Sequence, residues 1–154
     1  MFAAMRRSAI ADYENYVLIT YIMIPNIVFA VRCRDGFENK WNNKAVEALE
    51  QVGRFGCMAF MIVNIPPLCF GWLFEGALAV YIGVDIALLI AYCLIWIICF
   101  RKNGLFRALA LSIIPSVLFL FSGIMLLSVP LIVTAVIFAP CHIAISYKNA
   151  VMDM

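Results

Sequence analysis

The chain has 154 residues, of which 66% are hydrophobic and only 13% charged, and its formal net charge is +2. Water-soluble domains carry about a quarter charged residues, which excludes a soluble globule, and a small charge of mixed sign excludes a nucleic-acid-binding surface. With a mean hydropathy of +1.03, the chain reads as an all-α integral membrane protein. The expectation is one polytopic domain over residues 1–154, with five transmembrane helices in a compact bundle and the lipid bilayer as its first partner.

The first apolar run follows Arg6 and Arg7, as a signal peptide would. Asp12 and Glu14 interrupt the approach, and no A-x-A cleavage site follows, so residues 13–32 are expected to stay as a first spanning helix. Ile24-Pro25-Asn26-Ile27 lies late in this span. Proline frees a backbone carbonyl that needs a new partner in lipid, and Asn26 can supply one.

The connection that follows contains an amphipathic helix. Asn43, Glu47, Glu50 and Arg54 recur at helical spacing on one face, while Val46, Leu49 and Val52 form much of another. These four polar residues are expected to form a cytoplasmic, solvated interfacial face, with Glu50 and Arg54 as a favourable i, i+4 pair. No proline interrupts Asn43 to Ile65, so the helix can run without a break into a second span at 54–74, although Gly53 and Gly56 permit a bend. Asn64-Ile65-Pro66-Pro67 repeats the Pro/Asn grammar of the first span. Such breaks either kink a helix or expose backbone toward a substrate.

The third expected span, 76–100, has one charged residue, Asp85. An ionisable group at that depth costs from about 3 to more than 10 kcal/mol unless partnered, which makes Asp85 the first candidate functional residue. Tyr81, Asp85, Leu88, Tyr92 and Trp96 share a broad stripe, and Ala79, Gly83, Ala87 and Ala91 form a small-residue seam largely on another side. An acid between aromatic rings can hold an organic cation or exchange a proton, or it can be a structural group satisfied by neighbouring hydroxyls.

From Ala108 to Tyr147 there is no Asp, Glu, Lys or Arg. As one helix this stretch would measure ~60 Å, twice the apolar thickness of a bilayer, so it must fold back. A turn near Ser128 to Pro130 gives spans at 105–127 and 129–147; Ser122 and Gly123 are the alternative turn. His142 then lies within several ångströms of the depth of Asp85 in a ~30 Å core, and Asn26 and Asn64 at comparable depths. Asp85, Tyr81, Tyr92, Trp96, Asn64, Asn26 and His142 are thus the candidate ligand or proton site.

All the lysines and arginines other than Arg6 and Arg7 fall on one side of this five-span arrangement. The positive-inside rule places that side, with the C-terminus, in the cytoplasm and the N-terminus outside, in the cell (inner) membrane. The cysteines form no CxxC pair, and Cys141-His142 lacks further ligands at metal spacing, so neither a disulfide framework nor a metal site is expected. HExxH, GxSxG and P-loop motifs are absent, and no cofactor is implied.

Three functions remain open. The first is binding or transport of a small solute, cationic or proton-coupled, at Asp85. The second is an interfacial membrane enzyme acting on a lipid or lipid-linked group through Asp35, Glu47, Glu50 and Arg54. The third is a non-catalytic membrane subunit, associating with a second copy or another protein through the seam.

Overall fold

A computed structural model describes residues 16–17, 19–24, 27–28, 40–63, 65–99 and 104–152, and for Pro66 the backbone only. The described residues are almost entirely helical. Helix α1 comprises 16–17, 19–24 and 27–28, followed by α2 (Lys44–Ile62), α3 (Ala77–Ile98), α4 (Leu105–Met125) and α5 (Val129–Met152). Helices α3, α4 and α5 are long and apolar enough to cross a membrane.

Local chemistry accounts for the helix ends. Asn43 caps α2, its side-chain oxygen accepting from the Val46 N–H at 3.3 Å. The helix runs through Gly53 and Gly56 and stops at Ile62, ahead of Pro66 and Pro67, which cannot continue it. Most of the expected 54–74 segment is therefore the end of α2 and the irregular connection after it. Gly76 adopts φ +86°, a left-handed conformation suited to glycine, immediately before α3. Ser122 and Gly123 lie inside α4, and the chain turns through Leu126, Leu127 and Ser128, directly ahead of Pro130. Leu127 takes φ +46° in this turn.

The helices pack in the row α2–α5–α4–α3. Glu50 meets His142, the Gly53 position meets Phe138, and Gly56 meets Thr134, so α2 and α5 advance in opposite directions. Phe119–Phe138 and Gly123–Ile132 show the same for α4 and α5, and Asp85–Ser122 with Trp96–Arg107 for α3 and α4. Chain neighbours α2 and α3 thus sit at opposite ends of the row. Their connection crosses the tip of the α4–α5 hairpin, where Phe70 N–H donates to Leu127 O at 3.2 Å and Leu73 N–H to Met125 O at 3.1 Å. Cys69 bridges Ser128 there, with Sγ and Oγ 3.3 Å apart. At the other end of the molecule, the Asn149 side chain accepts from the backbone N–H groups of Lys40 and Trp41.

The interior holds two apolar clusters. One joins Cys57, Met61, Tyr92, Trp96, Leu118, Phe119, Leu131, Ala135 and Phe138, with Ile22 of α1 packed into it. The other, at the hairpin-tip end, joins Trp72, Ala77, Tyr81, Met125 and Leu126. Close approach of α2 to α5 depends on glycine. A Cβ at Gly53 would lie 2.8 Å from the Phe138 backbone, and one at Gly56 2.5 Å from the Thr134 methyl. Gly83, in the small-residue seam of α3, meets nothing within 4 Å, and Ala79, Gly83 and Ala87 face outward.

These two glycines should respond oppositely to the same change. Gly53→Leu should drive α5 away and lower stability by about 2–4 kcal/mol, in the range for overpacking a helix contact. Gly83→Leu should leave the melting temperature of the single chain unchanged or raise it slightly, since only helix propensity changes. Thermal melts of the two variants in detergent, followed by circular dichroism, compare them directly.

Candidate functional site

Among the described residues two carboxylates are buried, and the row of helices keeps them apart. Asp85 has 0% exposure and Glu50 2%. Their partners come from different helices.

Asp85 is carried by the stripe that the spacing of α3 indicates. Tyr81, Asp85, Tyr92 and Trp96 are all buried, because this stripe is the face that α3 lays on α4. Ser122 of α4 donates its hydroxyl to Asp85 Oδ2 at 3.1 Å. One turn before Asp85, Tyr81 packs edge-on against Trp72 with ring centroids 5.5 Å apart; two turns after it, Tyr92 packs edge-on against Trp96 at 6.4 Å. The Arg107 guanidinium stands 5.8 Å from the Trp96 ring centre. Ser112 and Ser116 of α4 are also buried, and each donates its hydroxyl to a carbonyl of its own helix, Leu109 and Ser112 respectively. Ser122 is thus the hydroxyl set against Asp85, with Tyr81 one turn before the acid and Tyr92 two turns after it on the same buried stripe. The small-residue seam lies on the outward side of α3 and takes no part in this contact.

Glu50 belongs to a second cluster. Arg54, one turn on, donates from Nε to Glu50 Oε1 at 3.0 Å and also pairs with it through a terminal guanidinium nitrogen. His142 of α5 brings Nδ1 to 2.9 Å from the same oxygen, and with the carboxylate ionised its N–H form donates. The imidazole stacks on Phe138, with centroids 4.6 Å apart and planes at 20°, and Phe138 in turn meets Phe119 edge-on. Burial disfavours a charge on Glu50, and the Arg54 guanidinium and the His142 hydrogen bond offset that cost.

Two sequence expectations are corrected by this geometry. Glu50 does not share a solvated face with Asn43, Glu47 and Arg54: the side of α2 carrying it is turned onto α5, Asn43 serves as the cap, and Glu47 and Arg54 are half-buried at its flanks. His142 does not join Asp85. Through the α4–α5 contacts, Ser122 is level with the early part of α5 near Ile132, which leaves His142 ~10–15 Å further along the helix axis. Equal depth brings two side chains together only where their helices are neighbours, and α4 stands between α3 and α5 in the row. Asn26 and Asn64 lie outside the described residues.

Sequence reasoning missed Ser122 as the partner of Asp85 and Glu50 as the partner of His142. For Ser122 the available signal was weak, a hydroxyl in an otherwise apolar run. For Glu50 the signal was its i, i+4 pairing with Arg54, which marks a charge prepared for burial as well as one facing water. Among the described residues no three His, Cys, Asp or Glu side chains are placed to hold a metal ion. No family model, curated protein or solved structure matches the chain.

Glu50→Gln should cost roughly 1–3 kcal/mol, because it leaves Arg54 without its ionic partner on the buried side of α2. Thermal melts of the parent and Glu50→Gln in detergent, followed by circular dichroism, read the difference. Equal melting temperatures would show that the Glu50 charge is not what holds α2 to α5.

Proposed function

We propose that the chain is an integral membrane protein that binds or transports a small solute, cationic or proton-coupled, with Asp85 as the charge-binding group. The observation that carries this reading is a carboxylate wholly withdrawn from the surface, within an aromatic stripe, on a helix whose outer side is aliphatic. Ile86, Ile90, Leu94 and Ile97 of α3 are exposed while Asp85 is concealed. That inverted distribution suits a bilayer and is unfavourable in water.

The chemistry follows from the surroundings of Asp85. A monovalent cation gains Coulomb attraction from the carboxylate and quadrupole attraction from the tyrosine and tryptophan rings, the latter worth about 0.5–2 kcal/mol per ring. Ser122 can hand its hydrogen bond over when the cation arrives. Helix α3 is at the edge of the row and packs chiefly on α4, so displacing it from α4 would open the site without disturbing the α2–α5 contact. The proposed arrangement places the cytoplasmic side at the Asn149–Trp41 end and the hairpin tip outside, in the cell membrane, with the N-terminus outside and the C-terminus inside.

A second reading, as a membrane subunit, draws on the outward seam of Ala79, Gly83 and Ala87, which would let another helix approach closely. The enzyme reading has less support, since Glu50 is enclosed between Arg54 and His142 and not presented to a substrate.

Binding of tetraphenylphosphonium to the purified protein, titrated at several pH values, tests the first reading. The parent should bind more tightly as pH rises, and Asp85→Asn should lose at least about tenfold in affinity together with the pH dependence. If the folded Asp85→Asn protein binds as the parent does, at every pH, Asp85 is not the charge-binding group.

A further inference from the structure

We infer that α2 lies within the bilayer beside α5, its outer face against lipid acyl chains and its charged side chains folded inward. The inference rests on the membrane reading above and extends it to a helix that does not belong to the three apolar enough to cross a membrane. Hydropathy averages a helix over all its faces. In α2 the faces differ sharply.

The buried residues of α2 are Glu50, Gly53, Cys57 and Met61, which recur at three- and four-residue steps and define the side that meets α5. Ala48, Val52, Phe55 and Ala59 recur at the same steps on the opposite side and are exposed. Val52 and Phe55 are each 65% exposed, and Leu49 and Val63 widen the apolar strip. Past Lys44 at its first position, the exposed residues of α2 include no charge; Gln51 is the one polar side chain among them. The charged residues are accounted for elsewhere. Glu50 is enclosed, Arg54 and His142 are joined to it, and Glu47 is half-buried near the helix start.

An amphipathic helix bathed in water on its outer side presents the reverse pattern, with charge outward and aliphatic groups on its neighbour. In a bilayer the observed pattern is the favourable one: a charge is tolerated where it faces protein and is paired, and the lipid-facing side is apolar. The length agrees, because the 19 residues of α2 measure ~28 Å against a hydrocarbon core of ~30 Å. Val129, Val133 and Val136 of α5, the helix on which α2 packs, are likewise exposed and apolar. Arg54, at the flank of the buried side, keeps its guanidinium on Glu50, so the charge is paired within the protein.

Photo-crosslinking reads the surroundings of this face directly. The full chain is prepared with p-benzoylphenylalanine at position 52 or at position 55, and with the same residue at position 90 on the exposed side of α3 as a reference. Each protein is reconstituted into phosphatidylethanolamine–phosphatidylglycerol vesicles, irradiated and analysed by mass spectrometry. Acyl-chain adducts at 52 and 55, in yields within about twofold of that at 90, are the expected result. Adducts at 90 without adducts at 52 and 55 would overturn the placement of α2 and leave the membrane reading standing. Crosslinks from 52 or 55 to a second copy of the chain would also overturn it, assigning the face to a protein partner. Absence of lipid adducts at all three positions would remove the membrane reading itself.

Discussion

The contact on which the architecture depends is the seating of α2 on α5 around Glu50. One carboxylate oxygen receives both Arg54 and His142, which lets the charged side of an amphipathic helix be buried. Gly53 and Gly56 allow the two backbones to come close enough for that reach, and Phe138 fixes the imidazole by stacking against it. Without this pairing the inward-facing side of α2 would carry an uncompensated charge. With it, α2 can expose aliphatic residues on the other side.

The consequence is topological. With α2 on the far side of α5, the helix that follows it in sequence is not its neighbour, and α3 is found beyond α4. The connection must then cross the α4–α5 hairpin tip. It does so with backbone hydrogen bonds to Met125 and Leu127 and the Cys69–Ser128 bridge, so that polar backbone groups of an irregular segment find partners within the protein. Trp72 at the end of this crossing meets Tyr81 and ties the connection to the first turns of α3.

The two buried acids differ in what surrounds them. Glu50 is paired with the Arg54 guanidinium and hydrogen-bonded to His142, joining two helices, which is the chemistry of a structural clasp. Asp85 has the Ser122 hydroxyl against it and lies between Tyr81 and Tyr92 on the buried stripe of a helix held chiefly by one neighbour, and that setting underlies its proposed role in binding a charge. The same row of helices that separates the two acids therefore separates their proposed roles.

The amino-acid sequence alone determines the helical class, the isolation of Asp85 on a stripe with Tyr81, Tyr92 and Trp96, and the turn ahead of Pro130. These follow from composition, from the 100° step of a helix and from proline chemistry, all of which act within a few residues. Helix neighbours are a different matter. Which face of α2 is inside, why His142 meets Glu50 and not Asp85, and which hydroxyl serves Asp85 depend on the order of helices in space. Periodicity distinguishes the charged face of α2 from the apolar one but does not say which is covered, because a paired charge and an aliphatic strip can each face inward or outward according to the solvent. Only the tertiary structure, by bringing His142 within reach of Glu50, decides that the charged face is the one inside.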